Sequence, residues 1–287
     1  MAINKESNGY IVLFSTILVL VTAVVLVTVF GATNPKFKVN QELEKKQNIL
    51  QAVKIDVDRT AAAAEFQKSV QKAFAINPEG KVVTNDFDEV FKIDLAKELR
   101  KKDVSKQMFP VFEIVKDGKT YYVLGMRGKG LWDAIWGYVS IEADFRTIFG
   151  AVFDHKSETP GLGAEISQKW FQAQFEGKKI SDSQGQFVSV SVIKKGTAPA
   201  SDYNVDGVSG GTLTSNGLHD MLRMFLGAFA KFAETVKVPD PVKIEPVVTD
   251  SSPTESLQVS AQEDSSVTKK KIQTVNTSSL CQQQLKR

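Results

Sequence analysis

Apolar residues fall along this chain in three rhythms, and each rhythm predicts a different kind of element. Residues 11 to 32 run almost unbroken (IVLFSTILVLVTAVVLVTVFGA), and residues 7 to 35 carry no charge. A helix rising ~1.5 Å per residue crosses a ~30 Å hydrocarbon layer within that length, so residues 10–32 are expected to form a transmembrane helix behind a short segment, 1–9. A cleaved signal peptide fits less well. The run is longer than a usual signal core, the residues before it offer only Lys5 offset by Glu6, and Val29-Phe30-Gly31 is a poor cleavage site. Beyond the span, Leu43, Ile49, Leu50, Val53 and Val57 recur at a rough helical period between charges, predicting a juxtamembrane helix over 41–57. An alanine run followed by Phe66, Val70 and Phe74 predicts a second helix over 60–74.

The middle of the chain changes rhythm. Residues 109–115 and 120–125 are rich in β-branched and aromatic side chains and flank Asp117-Gly118, a pair that favours a tight hairpin turn. Residues 134–143 predict another strand, and 187–193 (FVSVSVI) alternate valine and serine as a strand with one buried and one wet face would. Leu218, Met221, Leu222, Phe225, Leu226, Phe229, Phe232 and Ala233 return to three- and four-residue steps, predicting a long amphipathic helix. Strands followed by a helix, without regular alternation, predict an α+β domain over 36–237: an antiparallel sheet with helices packed against it. From residue 238 the chain holds four of the nine prolines, many Ser, Thr and Gln residues and no aromatic residue. Such a segment buries too little apolar surface to offset its ordering entropy, so 238–287 is expected to be a disordered tail.

The candidate chemistry lies just before the last helix, in Asp206-Gly207-Val208-Ser209-Gly210-Gly211-Thr212-Leu213-Thr214. Glycines let main-chain amides approach a bulky anion, and Thr212 adds a hydroxyl. With the helix expected to begin near Thr214 to Asn216, capped by Ser215 or Asn216, its free amides and positive dipole end would lie just beyond that hydroxyl. The run reads as a phosphate seat with a nucleophile built in; a plain turn with a helix cap fits the same composition. Thr212 has no evident activating base, because a hydroxyl needs one positioned beside it, and the neighbours are only Asp206 and His219.

Charge and cysteine content narrow the classes. With 36 basic and 33 acidic residues the net charge is +3, too balanced for a nucleic-acid partner. Cys281 is the only cysteine, which rules out an intrachain disulfide and a thiolate metal site. His155 and His219 stand far apart, so no metal site is expected, and His155 reads as a structural loop anchor. There is no strand-linked dinucleotide fingerprint.

Two further glycine segments accompany the Thr212 run in order: Gly128-Lys129-Gly130-Leu131-Trp132 and Glu158-Thr159-Pro160-Gly161-Leu162-Gly163. Together they resemble the FMN-binding-domain family, in which Asp-Gly-x-Ser-Gly-Ala-Thr carries FMN as a phosphodiester on its final Thr. Asp206, Gly207, Ser209, Gly210 and Thr212 agree with that flavinylation motif, and Gly211 stands where the family has Ala. The resemblance implies covalent FMN on Thr212, installed from FAD by a separate metal-dependent flavin transferase that Asp206 helps to recruit. Ser209, Gly210 and Gly211 are then expected beside the flavin. Gly161, Leu162 and Gly163 would supply amides and an apolar cover, with Glu158, Thr159 and Gly130 as further contacts; Trp132 either packs beside the ring or fills the core.

Over residues 10 to 236 the anchor, the glycine segments and their spacing resemble the C subunits of sodium-translocating NADH:quinone oxidoreductases. That resemblance implies an electron-carrying flavoprotein that works with other subunits of an oxidoreductase in the bacterial inner membrane, single-pass, with its soluble domain periplasmic. The flanking charges oppose this orientation: Lys36, Lys38, Lys45 and Lys46 follow the span and only Lys5 precedes it, which by the positive-inside rule favours a cytoplasmic domain. Two alternatives remain open from sequence. One is the G subunit of an ion-translocating ferredoxin:NAD oxidoreductase; the other is a membrane-anchored phosphate or nucleotide binding protein with no redox role.

Overall fold

In the computed structural model, residues 7–237 are described; the first six residues and the tail expected to be disordered, 238–287, lie outside them. Helix α1, Asn8–Ala52, starts where the Ser7 hydroxyl accepts the Tyr10 amide at 3.2 Å. Its large apolar side chains from Ile11 to Phe30 are 50–71% exposed, and it is long and apolar enough to cross a membrane. The hydroxyls of Thr16, Thr22, Thr28 and Thr33 donate to carbonyls one turn back, so these polar groups are satisfied within the helix as a lipid environment demands.

The separate juxtamembrane helix expected over 41–57 is instead the end of α1. Pro35 lies inside the helix and forfeits only its own bond to the carbonyl four residues back, while the turns on either side continue. The helix also stops earlier than expected. After Ala52 the Val53 amide turns to the Leu50 carbonyl, and Lys54 takes a left-handed conformation with φ +58°.

Next come α2 (Ala62–Ser69), β1 (Val70–Ile76), β2 (Val82–Thr84), α3 (Phe87–Phe91) and α4 (Leu95–Glu98). The helix expected over 60–74 is thus half strand. Val70, Phe74 and Phe66 satisfy a helical period, but residues from Val70 onward pair with β3, Phe109–Lys116, and that ladder overrides local spacing. β3 and β4 (Lys119–Lys129) form the expected hairpin through Asp117 and Gly118, both at positive φ, which the tight turn requires. β5 (Ala134–Glu142) and β6 (Ile148–His155) complete an antiparallel six-stranded sheet in the order β2-β1-β3-β4-β5-β6.

Successive residues of the central strands point to opposite faces and feed two cores. Phe109, Val111, Leu124 and Met126 meet α6, Thr212–Lys237, through its Leu218, Met221, Leu222, Phe225, Leu226 and Phe229. The Phe109 and Phe225 rings lie 4.4 Å apart between centroids. Phe112, Ile114 and Val123 face the other way, onto Ile49, Leu50 and Val53 at the end of α1 and Phe66 of α2. Between β6 and α6 run a 3-10 turn (Gly163–Ser167), the short α5 (Lys169–Gln172), and β7 (Ser191–Ile193), which pairs in parallel with β8 (Asn204–Asp206). The strand expected over 187–193 shrinks to β7. Ser189 sits at φ +68°, and the Val188 and Ser189 amides both donate to the Ile180 carbonyl, which removes them from any ladder.

Candidate functional site

The loop from Asp206 to Gly211 is held at each end before it delivers the chain into α6. Gln174 grips the Asp206 backbone on both sides, its Oε1 accepting the Asp206 amide at 3.0 Å and its Nε2 donating to the Asp206 carbonyl at 3.3 Å. The Gly207 amide donates to the Ile193 carbonyl, and the Val208 amide to Ser215 Oγ at 3.1 Å. Gly210 then turns the chain at φ +74°. The Gly211 carbonyl accepts the Ser215 amide at 2.8 Å, so the helix opens at Thr212, ahead of the expected 214–216 start. Ser215 and Asn216 are therefore interior residues of α6. The reason is tertiary: Ser215 caps the incoming loop at Val208, not its own helix. Amides of the first helical turn have no intrahelical acceptor and leave a positive dipole end beside Thr212.

All three glycine segments meet here. A Cβ on Gly210 would stand 2.6 Å from Leu162 Cδ2, and one on Gly211 3.2 Å from the Gly163 amide nitrogen. Gly217, inside α6, lies so close to the Lys129 carbonyl that a Cβ there would sit 2.0 Å from its oxygen. That contact seats the 129–132 loop on the first turns of α6. Trp132 Nε1 donates to Thr159 Oγ1 at 3.2 Å, tying the other two segments together.

Glu158 lies beneath them, only 4% exposed. Its Oε2 accepts the Thr214 hydroxyl at 2.5 Å and its Oε1 the Trp132 amide at 2.9 Å. Burial pushes this carboxyl up, but the Thr214 hydroxyl and the amides of Trp132, Asp133 and Leu131 outweigh it and hold the group below its ordinary value. The Glu158 amide in turn donates to His155 Nδ1 at 3.2 Å, which gives that histidine the loop-anchoring contact expected of it. His219 accepts the Val192 amide at 3.3 Å through Nδ1 and is engaged away from Thr212.

The hydroxyls of the motif divide sharply. Thr214 and Ser215 are 1% and 6% exposed and both are hydrogen-bonded, whereas Ser209 and Thr212 are exposed. The three converging segments also carry apolar side chains that water reaches: Leu131, Trp132, Leu162 and Leu213 are 43–67% exposed. A cavity of about 760 Å³ shares Trp132 with this surface and is lined also by Leu99, Met221, Met224, Arg100, Arg127 and Lys129. Among the described residues, no cluster of His, Cys, Asp and Glu is arranged to hold a metal. Sequence reasoning gave no role to Thr214, Leu213 and Leu131, although all three lie inside the motifs it singled out, and it missed Gln174 and Gly217. Gly217 carried a signal of its own, a glycine interrupting an otherwise helical pattern.

The domain is thus a sheet backed by one long helix whose glycine-lined start exposes a threonine. Residues 130–227 match the family model described as FMN-binding domain. Over most of its length the chain is similar to the C subunit of Na(+)-translocating NADH-quinone reductase from Vibrio anguillarum (30% identity, 83% of this chain, 98% of the relative) and to that from Yersinia pestis (31%, 82% and 95%). It belongs to that family of C subunits. The crystal structure of the Na(+)-translocating NADH-quinone reductase C subunit from Parabacteroides distasonis is similar at 39% identity and TM-score 0.61, covering 68% of this chain and 94% of that one. The Shewanella oneidensis NqrC crystal structure is similar at 27% identity and TM-score 0.58, covering 69% and 99%.

Proposed function

We propose that this chain relays electrons through FMN held by a phosphoester to Thr212, as the flavin-bearing subunit of a Na(+)-translocating NADH-quinone reductase. Membership of the C-subunit family and the FMN-binding domain support the FMN-carrying role within that oxidoreductase of several subunits. The observation that carries the finer reading is the division of the hydroxyls. Of the two threonines at the start of α6, Thr212 is open and Thr214 is buried on Glu158.

The residues present suit FMN. A phosphate on Thr212 would meet the free amides and dipole end of α6. Gly210 and Gly211 keep side chains out of its way, and Ser209 adds an exposed hydroxyl. Leu131, Trp132, Leu162 and Leu213 offer apolar surface for a ring, and Thr159 and Gly130 shape the same wall. Of the amides expected to meet its polar edge, that of Gly161 is taken by Glu165 Oε1 at 3.1 Å and that of Leu162 by the Thr159 carbonyl at 3.1 Å, which leaves the Gly163 amide for that task. Bound FMN supplies the redox ring that no side chain provides. Among the described residues no base is hydrogen-bonded to the Thr212 hydroxyl, which supports attachment by a separate transferase using FAD. The Asp206 carboxylate, partly exposed and without a partner among the described residues, is a contact for that enzyme.

Residues 36–237 form the flavin domain in this reading. The apolar part of α1 anchors it in the bacterial inner membrane with the domain on the periplasmic side. Co-expressed with a flavin transferase, the chain is expected to fluoresce under ultraviolet light after denaturing electrophoresis. It should also gain an FMN-phosphoryl mass on the Thr212 peptide, and Thr212→Val should lose both. Fluorescence retained by Thr212→Val overturns the attachment site.

A further inference from the structure

Thr212 makes no hydrogen bond through its own side chain among the described residues, so its placement depends on its neighbours in the first turn of α6. Ser215 ties that turn to the incoming loop at Val208, and Thr214 ties it to Glu158. The second tie reaches furthest. A Cβ on Gly130 would stand 2.5 Å from Glu158 Oε1, and one on Gly163 2.5 Å from Oε2, so both glycine segments leave space for this one carboxylate. Two donors lie within hydrogen-bond distance of it, the Thr214 hydroxyl and the Trp132 amide, and the neighbouring amides of Leu131 and Asp133 favour its charged form.

A carboxylate is an acceptor at both oxygens, whereas a glutamine would turn an NH2 group against at least one of those donors. Burying a charge is unfavourable unless it is fully hydrogen-bonded. Here that condition is met by drawing the 130–132 loop, the 158–163 loop and the start of α6 onto a single group.

We infer that Glu158 is a positioning residue for flavin attachment: by holding the Thr214 hydroxyl and the Trp132 amide together, it sets the first turn of α6 so that the Thr212 hydroxyl is presented to the transferase. This rests on the attachment site proposed above. In the step concerned, the Thr212 Oγ–phosphorus bond forms as the pyrophosphate bond of FAD breaks; AMP leaves and the hydroxyl proton is released. Glu158 touches none of the reacting atoms and acts through Thr214.

The test uses the full chain in detergent with purified flavin transferase and FAD. The initial rate of FMN incorporation is followed by in-gel fluorescence, and the modified residue is located by fragment masses. Thr214→Val keeps the shape of the side chain and loses the hydrogen bond to a charged group, a loss that translates into about tenfold slower incorporation at Thr212. Thr214→Ser keeps the donor and should restore the rate, a rescue that a shape-only role for Thr214 does not predict. Glu158→Gln should be slowed like Thr214→Val. Thermal melts of each variant report folding, and if Glu158→Gln does not fold, the Thr214→Val and Thr214→Ser pair decides alone. Wild-type rates in Thr214→Val overturn the role of Glu158 and leave the attachment site standing. A wild-type chain that takes up no FMN at Thr212 overturns both.

Discussion

Among the described residues the two long helices, α1 and α6, are both rich in apolar side chains, yet one leaves them bare and the other buries them. In α1 the large residues from Ile11 to Phe30 are at least half exposed, because they cover the helix all round and no protein surface encloses it. In α6 the apolar residues form a stripe, with Asp220, Arg223, Lys231 and Glu234 turned elsewhere, and that stripe closes one face of the sheet. Distribution around the helix, more than apolar content, decides which partner it needs. An all-round surface calls for lipid, and a stripe calls for a sheet. Helix α1 makes the same point within itself: past Pro35 charges appear, and Ile49, Leu50 and Ala52 become buried against the opposite face of the sheet.

Truncating matched phenylalanines gives the widest separation between the helices. Phe225→Ala removes a fully buried ring packed on Phe109 and should cost about 3–5 kcal/mol of domain stability. Phe30→Ala, 66% exposed, should leave the domain's urea unfolding midpoint in detergent unchanged. Equal losses in both would dissolve the contrast. Next in size, Leu20→Arg puts a charge in the middle of the apolar run, where it costs about 2.5–3.5 kcal/mol of insertion. The rest of the apolar run keeps the helix inserted, so the effect is a larger share of the chain released from membranes by urea or alkaline carbonate while the domain melts as before; an unchanged share would mean that α1 is not the anchor.

A glycine pair sharpens the comparison, since one substitution should have opposite signs in the two helices. Gly217→Ala forces a methyl to within 2.0 Å of the Lys129 carbonyl oxygen and should destabilise by about 1–3 kcal/mol. Gly31→Ala meets nothing within 4 Å and should stabilise α1 by up to about 1 kcal/mol, read as helicity in detergent.

The smallest expected effect is that of pH on the start of α6. Glu158 has its carboxyl held below the ordinary value, so its contribution is complete above the unfolded carboxylate range and is lost as pH falls through the lower folded value. Amide exchange at the 131–133 loop, corrected for intrinsic rates, should accelerate on acidification in the wild type and be insensitive over the same range in Glu158→Gln. No difference between them would remove Glu158 as the titrating group.

Much of the site was legible because its residue types are rare in combination. Thr212, the glycine segments and their order stand out in the linear chain, and the fold class followed from strand rhythm and the α6 stripe. The misread elements have a common cause. Residues 70–74 fit a helix by spacing and became a strand by pairing with β3; residues 187–190 alternate like a strand and lost their ladder to the Ile180 carbonyl. Nothing in the spacing of Glu158 and Thr214, 56 residues apart, announces their hydrogen bond.

The sequence by itself determined which segments are apolar, at what period, and which hydroxyls lie in the glycine run, since these are properties of neighbours along the chain. Only the tertiary structure decided that Pro35 leaves α1 continuous, that α6 opens at Thr212, and that of two threonines a residue apart one faces solvent and the other a buried carboxylate. Those outcomes depend on groups brought together from distant positions, where close packing and the demand to satisfy each buried polar atom select among conformations that are locally equivalent.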